Sequence, residues 1–259
     1  MSTFLFNKII FGPVKSRRLG VSLGINLLPV DTKVCSFDCI YCECGLNPGK
    51  RENRAVLPGR EKVFEDLEIK LKEMIREGVL PDVITFAGNG EPTLHPGFGG
   101  IIEDTIFLRD KYCPEARIAV LSNASKIDNE AVFNALLKVD DNIQKLDSGL
   151  EETIRLLDRP NYNFSLKKTV EDLIRFEGKV IIQTMFVKGM FNGTEVDNTT
   201  ERDVKSWLEL LRQIKPQSVM IYTIERDTPF DTLKKVSVAD LDRIAALVND
   251  IGIQTQVSG

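Results

Sequence analysis

The sequence predicts an α/β fold in which six βα units wrap into a partial, laterally open barrel. Short runs rich in Ile, Val and Thr alternate with longer stretches of helical period, the pattern of a parallel sheet with helical crossovers. Six such runs occur, too few for the usual closed eight-stranded barrel. No repeat, low-complexity tract or Pro/Gly/Ser linker divides the 259 residues. One domain is therefore expected over 1–259, with 1–21 as an N-terminal arm and 22–259 as the barrel.

The strands are expected, in order, at 22–29 (SLGINLLP), 82–88 (DVITFAG), 117–123 (RIAVLSN), 142–147 (NIQKLD), 179–187 (KVIIQTMFV) and 218–224 (SVMIYTI). Between the first two, Phe64, Leu67, Leu71, Met74 and Ile75 mark one apolar helical face, and Gly78 ends it. Thr200 with Asp203 opens a helix whose face is Val204, Trp207, Leu208, Leu211 and Ile214. Ser237 with Asp240 does the same before Leu241, Ile244, Val248 and Ile251. Residues 148–164 stand outside the alternation as an extra short helix and turn.

Composition excludes several classes. A hydrophobic fraction of 42% and a charged fraction of 28% are those of an ordinary soluble globular protein. No apolar run reaches the roughly 18 residues of a membrane span, and Lys8 interrupts the apolar start, so a cytoplasmic protein with no membrane partner is expected. The 34 basic and 38 acidic side chains argue against a global nucleic-acid footprint. One local basic segment exists: residues 45–62 hold Lys50, Arg51, Arg54, Arg60 and Lys62 against Glu52 and Glu61. It reads either as a solvated loop or as a landing surface for an acidic partner.

Cysteine usage is the sharpest constraint. There are five, and Cys35, Cys39 and Cys42 fall within eight residues, which suits no framework of disulfides. The spacing C-x3-C-x2-C follows the first strand, where catalytic βα loops sit. Three thiolates on one loop can hold three corners of a cubane iron-sulfur cluster and leave one iron for a non-protein ligand. The competing metal is zinc on Cys35, Cys39, Cys42 and Cys44, against which stand the single-residue gap between Cys42 and Cys44 and the lack of a second ligand pair downstream. A merely structural group of buried cysteines has no packing reason to be so dense. His95 is the sole histidine, so histidine chemistry has almost nothing to draw on.

The segment Cys35-Ser-Phe-Asp-Cys39-Ile-Tyr41-Cys42, with an aromatic before the last cysteine, resembles the signature of the radical SAM superfamily. That resemblance implies a partial (βα)6 TIM barrel of radical SAM type, one 4Fe-4S cluster per chain on Cys35, Cys39 and Cys42, and S-adenosyl-L-methionine chelated to the open iron. It implies reductive cleavage of that cofactor to methionine and a 5'-deoxyadenosyl radical that abstracts hydrogen from a substrate, which calls for anaerobic handling. Tyr41 would lie against the adenine. Gly88-Asn89-Gly90-Glu91 resembles the family's segment for the methionine amine, with Asn89 in place of the commoner glycine. Glycines there would let carbonyls approach, and Glu91 would accept from the amine.

Ser122 and Asn123 resemble the polar pair that reaches ribose or carboxylate, and Gln183 joins the cofactor-facing set. Lys145, Asp147 and Arg226, at or beyond the ends of later strands, are the candidate catalytic side chains, with Tyr222 beside them. The opening FGPVKSRRLGVSLGINLLP resembles a group of short radical SAM proteins related to wybutosine-synthesising enzymes, whose substrates are tRNA. Its Lys15, Arg17 and Arg18 suit a phosphate or carboxylate. That kinship implies RNA or a nucleotide-like molecule as substrate. No cysteine precedes Cys35, so the second cluster of those enzymes is not expected. The alternatives are an activase or peptide-modifying enzyme and a non-catalytic zinc module. A low-potential donor, flavodoxin or ferredoxin, is the expected electron partner.

Overall fold

The computed structural model describes residues 4–16, 19–49 and 56–259. The chain opens on an antiparallel hairpin, β1 (Ile10–Ser16) and β2 (Gly20–Ile25), followed by α1 (Arg60–Glu77) and β3 (Val83–Phe86). Then come α2 (Phe98–Tyr112), β4 (Arg117–Ser122), α3 (Glu130–Leu136), β5 (Asp141–Lys145), α4 (Glu151–Leu157) and α5 (Leu166–Ile174). The second half holds β6 (Ile181–Phe191), β7 (Thr194–Asp197), α6 (Glu201–Ile214), β8 (Ser218–Thr223), β9 (Leu233–Lys235), α7 (Val238–Asp250) and β10 (Gln254–Ser258). The sheet runs β1-β2-β3-β4-β5-β6-β8-β10, with β7 and β9 attached to β6.

All pairings from β2 through β10 along that path are parallel, so the six βα units are those headed by β2, β3, β4, β5, β6 and β8. The sequence missed the two strands at the sheet's margins. Ile10–Ser16 is not a free arm but an edge strand on β2, disguised by Gly12 and Pro13 at the bulge between Phe11 and Val14. Proline is tolerated there because an edge strand has one unpaired side. The seventh parallel strand, β10, reads Gln-Thr-Gln-Val-Ser and lacks the apolar run that marks the others.

Capping follows the sequence closely. Thr200 Oγ1 accepts from Asp203 N at 3.1 Å and Ser237 Oγ from Asp240 N at 3.1 Å, which fixes the starts of α6 and α7. In α1 the buried face is Val63, Leu67, Leu71 and Met74, while Ile75 points to solvent; Gly78 caps the helix at φ 71°. No helix among the described residues is long and apolar enough to cross a membrane.

Side chains alternate across the parallel strands. Outward residues such as Phe86, Ile118, Val120, Ile182 and Ile221 join the helices in the main core. Inward, Val83, Ala119, Ile143, Ile181 and Met220 form a separate apolar floor to the barrel. Lys145 stands in register with Gln183, and Gln183 with Met220, so polar side chains succeed the floor toward the C-terminal mouth.

Candidate functional site

The mouth gathers the loops that follow β2, β3, β4 and β5. Beyond β2, Val34 forms a parallel bridge with Gly90: Val34 N donates to Asn89 O at 2.8 Å and Glu91 N to Val34 O at 3.1 Å. Gly90 sits at φ 139°, and a Cβ there would lie 1.9 Å from Val34 O. Gly88 is at φ 150° with Asn26 Oδ1 2.4 Å from its notional Cβ. Gly90 is thus required by the close approach of the cysteine loop, and Gly88 by that of the Asn26 side chain.

That loop is internally templated. Asn47 Oδ1 accepts from Cys35 N at 3.1 Å while Asn47 Nδ2 donates to Phe37 O at 2.9 Å and Asp38 Oδ1 accepts from Asn47 N at 2.6 Å. Ile40 N donates to Leu157 O at 2.9 Å, and Asn161 Nδ2 to Cys35 O at 3.0 Å, tying the loop to the segment around α4. All five cysteines are free thiols.

Lys33, which the sequence reading passed over, is the loop's central cation. It is 3% exposed, its Nζ donates to Gly45 O at 2.7 Å, and Asp38 Oδ1 lies 3.7 Å away. Burial opposes its charge, but the thiols of Cys42, Cys39 and Cys35 outweigh that and hold the ammonium above its ordinary pKa. The hydrogen bond from the Cys44 thiol and the nearby Lys33 hold Cys42 down at about 6 despite burial. Burial, then the neighbouring Glu91, pushes Cys35 up to about 12. Burial and Asp158 raise Cys39.

Each residue singled out from the sequence has a definite place. Glu91 is 2% exposed; Oε1 accepts from Thr93 N at 3.1 Å and Oε2 from Asn123 N at 2.6 Å. Burial raises its carboxyl, and these hydrogen bonds work against the rise. Asn123 Nδ2 donates to Ser36 Oγ at 2.9 Å and reaches Cys35 Sγ at 3.5 Å, joining the β4 end to the cysteine loop. Ser122 Oγ accepts from Ala124 N at 3.1 Å, and its hydroxyl also hydrogen-bonds the Glu91 carboxyl.

Asn89 is fully buried, and its side chain serves the chain's own backbone. Oδ1 accepts from Phe6 N at 2.8 Å, and Nδ2 donates to Phe6 O at 2.9 Å and Pro29 O at 2.8 Å. Its departure from glycine thereby holds the N-terminal residues along the site. Asn89→Ala is expected to cost about 1–3 kcal/mol for the lost buried pairing and to speed hydrogen exchange at the Phe6 amide. Unchanged exchange there would refute this role.

Lys145, Asp147 and Tyr41 meet in one buried cluster with Asp158, which the sequence reading also missed. Tyr41 hydroxyl bonds Asp147 Oδ2, and donates to Asp158 Oδ1 at 2.8 Å; Lys145 Nζ lies 2.5 Å from the same hydroxyl and 3.0 Å from Asp147 Oδ2. Cys39 Sγ donates to Asp158 Oδ1 at 3.3 Å, so this cluster abuts a cysteine of the loop. Burial and then Asp147 push Asp158 up to about 8. Asp147 Oδ1 also accepts from Met185 N at 2.9 Å, and Asn198 Nδ2 donates to Asp147 O at 2.8 Å, fixing β5 against β6. Gln183 is buried one strand over, in register with Lys145.

Arg226 is placed apart from this group, exposed on the loop after β8, where it bonds Glu43 Oε2 at 2.9 Å and lies 5.9 Å from the Phe4 ring centroid. Lys15 is exposed on β1, while Arg17, Arg18, Lys50, Arg51 and Arg54 lie outside the described residues. A cleft of about 410 Å³ opens beside Cys35, lined among others by Ser36, Asn161, Tyr162, Lys168 and Thr169.

Among the described residues, no three His, Cys, Asp or Glu side chains converge as for one metal ion. A cubane distributes its cysteines over separate irons, so thiols arrayed along one loop around a buried cation form a suitable donor set for it. Cys44 Sγ lies 3.4 Å from Gly88 O, so its single S–H is shared between that carbonyl and Cys42.

Parallel βα units, a three-cysteine loop at the mouth and a glycine-lined approach beside it define a radical SAM architecture. Residues 30–199 match the Radical SAM superfamily, and the chain belongs to it. The UPF0026 protein MJ1312 of Methanocaldococcus jannaschii is 33% identical over 94% of this chain and 72% of its own length. A radical SAM methyltransferase from Sphaerobacter thermophilus has the same fold at 15% identity and TM-score 0.67, with 92% of this chain and 65% of that one covered. TYW1 with a lysine-pyruvate adduct bound shares the fold at 12% identity and TM-score 0.58, over 88% of this chain and 73% of that chain.

Proposed function

We propose that this chain is an enzyme that holds one 4Fe-4S cluster on Cys35, Cys39 and Cys42 and reductively cleaves S-adenosyl-L-methionine. The observation that carries the reading is the arrangement of these three thiols around buried Lys33 at the barrel mouth, beside the Gly88–Glu91 loop. When bound, the cluster and its cofactor would supply a low-potential electron and a carbon radical for hydrogen abstraction. The chain's own residues would bind and orient. Glu91 is held in place by Thr93 and Asn123 and, as a carboxylate, has lone pairs left for an amine. Asn123 would sit between that amine and Cys35. Tyr41, anchored at its hydroxyl by Asp147 and Asp158, would present a fixed ring edge near the last cysteine.

Anaerobic reconstitution is expected to give about four irons and four sulfides per chain; zinc in place of iron would overturn the proposal. Glu91→Gln keeps the shape but removes the charge. It is expected to weaken S-adenosyl-L-methionine binding by roughly tenfold, about 1.4 kcal/mol, with iron content unchanged. Equal affinity would remove Glu91 from the binding set.

The substrate class we infer is RNA or a nucleotide-like molecule, supported by the likeness of residues 11–29 to the wybutosine-synthesising group. Capture from anaerobic lysate should recover RNA, and selective recovery of protein would favour an activase instead. Flavodoxin or ferredoxin is the proposed electron donor.

A further inference from the structure

Resting on the cluster reading above, we infer that Lys33 is the cluster's buried counter-cation: a positioning residue that offsets the charge of the three thiolates and raises the reduction potential of the centre. The inference begins with a placement that proteins rarely adopt. A lysine is almost never buried unless it is paired, because taking an ammonium out of water is costly. Lys33 is nonetheless 3% exposed, while Asp31 two residues before it is exposed and Thr32 half-buried.

Its partners explain the direction in which it points. Nζ donates to Gly45 O at 2.7 Å, across the loop from its own position, so the side chain spans the turn that carries all three cysteines. It hydrogen-bonds Cys42 and is within electrostatic reach of Cys39 and Cys35 as well. Its carboxylate neighbour, Asp38, is 3.7 Å away, beyond hydrogen-bonding distance, and is shared with Arg159, also at 3.7 Å. A simple Lys–Asp pair would not need this geometry, whereas a cation serving the inside of the loop would.

The charge balance of the pocket points the same way. Around the cysteines stand Glu91 beside Cys35 and Asp158 beside Cys39, both buried, and on the far side of Asp158 the Lys145–Asp147 pair. Three thiolates brought into this buried, carboxyl-lined pocket concentrate negative charge there, and Lys33 is the cation placed among the thiolates themselves. In a low-dielectric setting one unit charge a few ångströms from the centre stabilises the added electron of the reduced form substantially. Iron-sulfur potentials respond to net charge and to hydrogen bonds at sulfur, and Lys33 contributes to both.

The test compares wild type, Lys33→Met and Lys33→Arg, each reconstituted anaerobically with iron and sulfide. Iron content and midpoint potential are read by spectroelectrochemistry, without turnover. Lys33→Met matches the volume and removes the charge. It is expected to keep its iron while the equilibrium constant for reduction falls at least tenfold, a shift of about 59 mV to lower potential for one electron. Lys33→Arg keeps the charge and is expected to restore most of the shift. If Lys33→Met alone fails to hold iron, the charge is needed for assembly and the inference stands. An unchanged potential in a fully loaded Lys33→Met protein would overturn it. Loss of iron in both variants would overturn it too, by assigning Lys33 to the Gly45 hydrogen bond alone. Wild type without iron would overturn the cluster reading itself, and the inference with it.

Discussion

Replacing Cys35, Cys39 or Cys42 by alanine is expected to take the reconstituted protein from about four irons per chain to none, with loss of the brown chromophore. Three protein ligands leave no redundancy, since a cluster already open at one iron cannot lose a second attachment and persist. Cys44→Ala and Cys113→Ala are expected to retain iron. Cys113 caps the end of α2 in the core, far in role from the loop. Cys44 is close to the site and hydrogen-bonds Cys42 and Gly88 O, so its variant is the discriminating one. Iron lost from Cys44→Ala would mean that the ligand set is misassigned.

Lys145→Met is expected to destabilise the apoprotein by about 3–5 kcal/mol, the cost of leaving the buried Asp147 carboxylate without its cation. Asp147 and Asp158 are both almost fully buried and share the Tyr41 hydroxyl, and Lys145 lies 3.0 Å and 4.0 Å from them. Burial depresses the Lys145 charge, yet Asp147 and Tyr222 prevail and keep its pKa well above the usual lysine value. Adding Asp147→Asn to Lys145→Met removes the carboxylate that lies 3.0 Å from the lost ammonium, so the double variant is expected to regain part of the loss, a non-additivity that a structural methylene stem would not produce. Denaturant midpoints measure both. Strict additivity would show that the cluster is packing and not electrostatics.

The barrel was legible because its interior strands are buried on both faces and therefore read as Ile, Val and Thr runs, as in 117–123 and 179–187. Its margins were not, because β1 and β10 each lie at an end of the sheet and tolerate Gly, Pro and Gln. The cysteine loop was legible from spacing alone. What spacing could not give was the inside of that loop, where Lys33 reads as one more charge until its burial is known. Asp158 meets Cys39 across 119 residues of sequence, and no local pattern encodes that contact. Asn89 shows the same limit, since its partner Phe6 is 83 residues away and turns an apparent motif variation into an anchor for the N-terminal segment.

The most direct test of the central claim is the formation of 5'-deoxyadenosine by the reconstituted protein, supplied with S-adenosyl-L-methionine and dithionite under anaerobic conditions and followed by chromatography. The account predicts 5'-deoxyadenosine and methionine in equal amounts, abolished in the Cys35, Cys39 and Cys42 variants and retained in Cys113→Ala. Intact S-adenosyl-L-methionine after incubation with a fully loaded, reduced protein, or equal cleavage by the three cysteine variants, would contradict it.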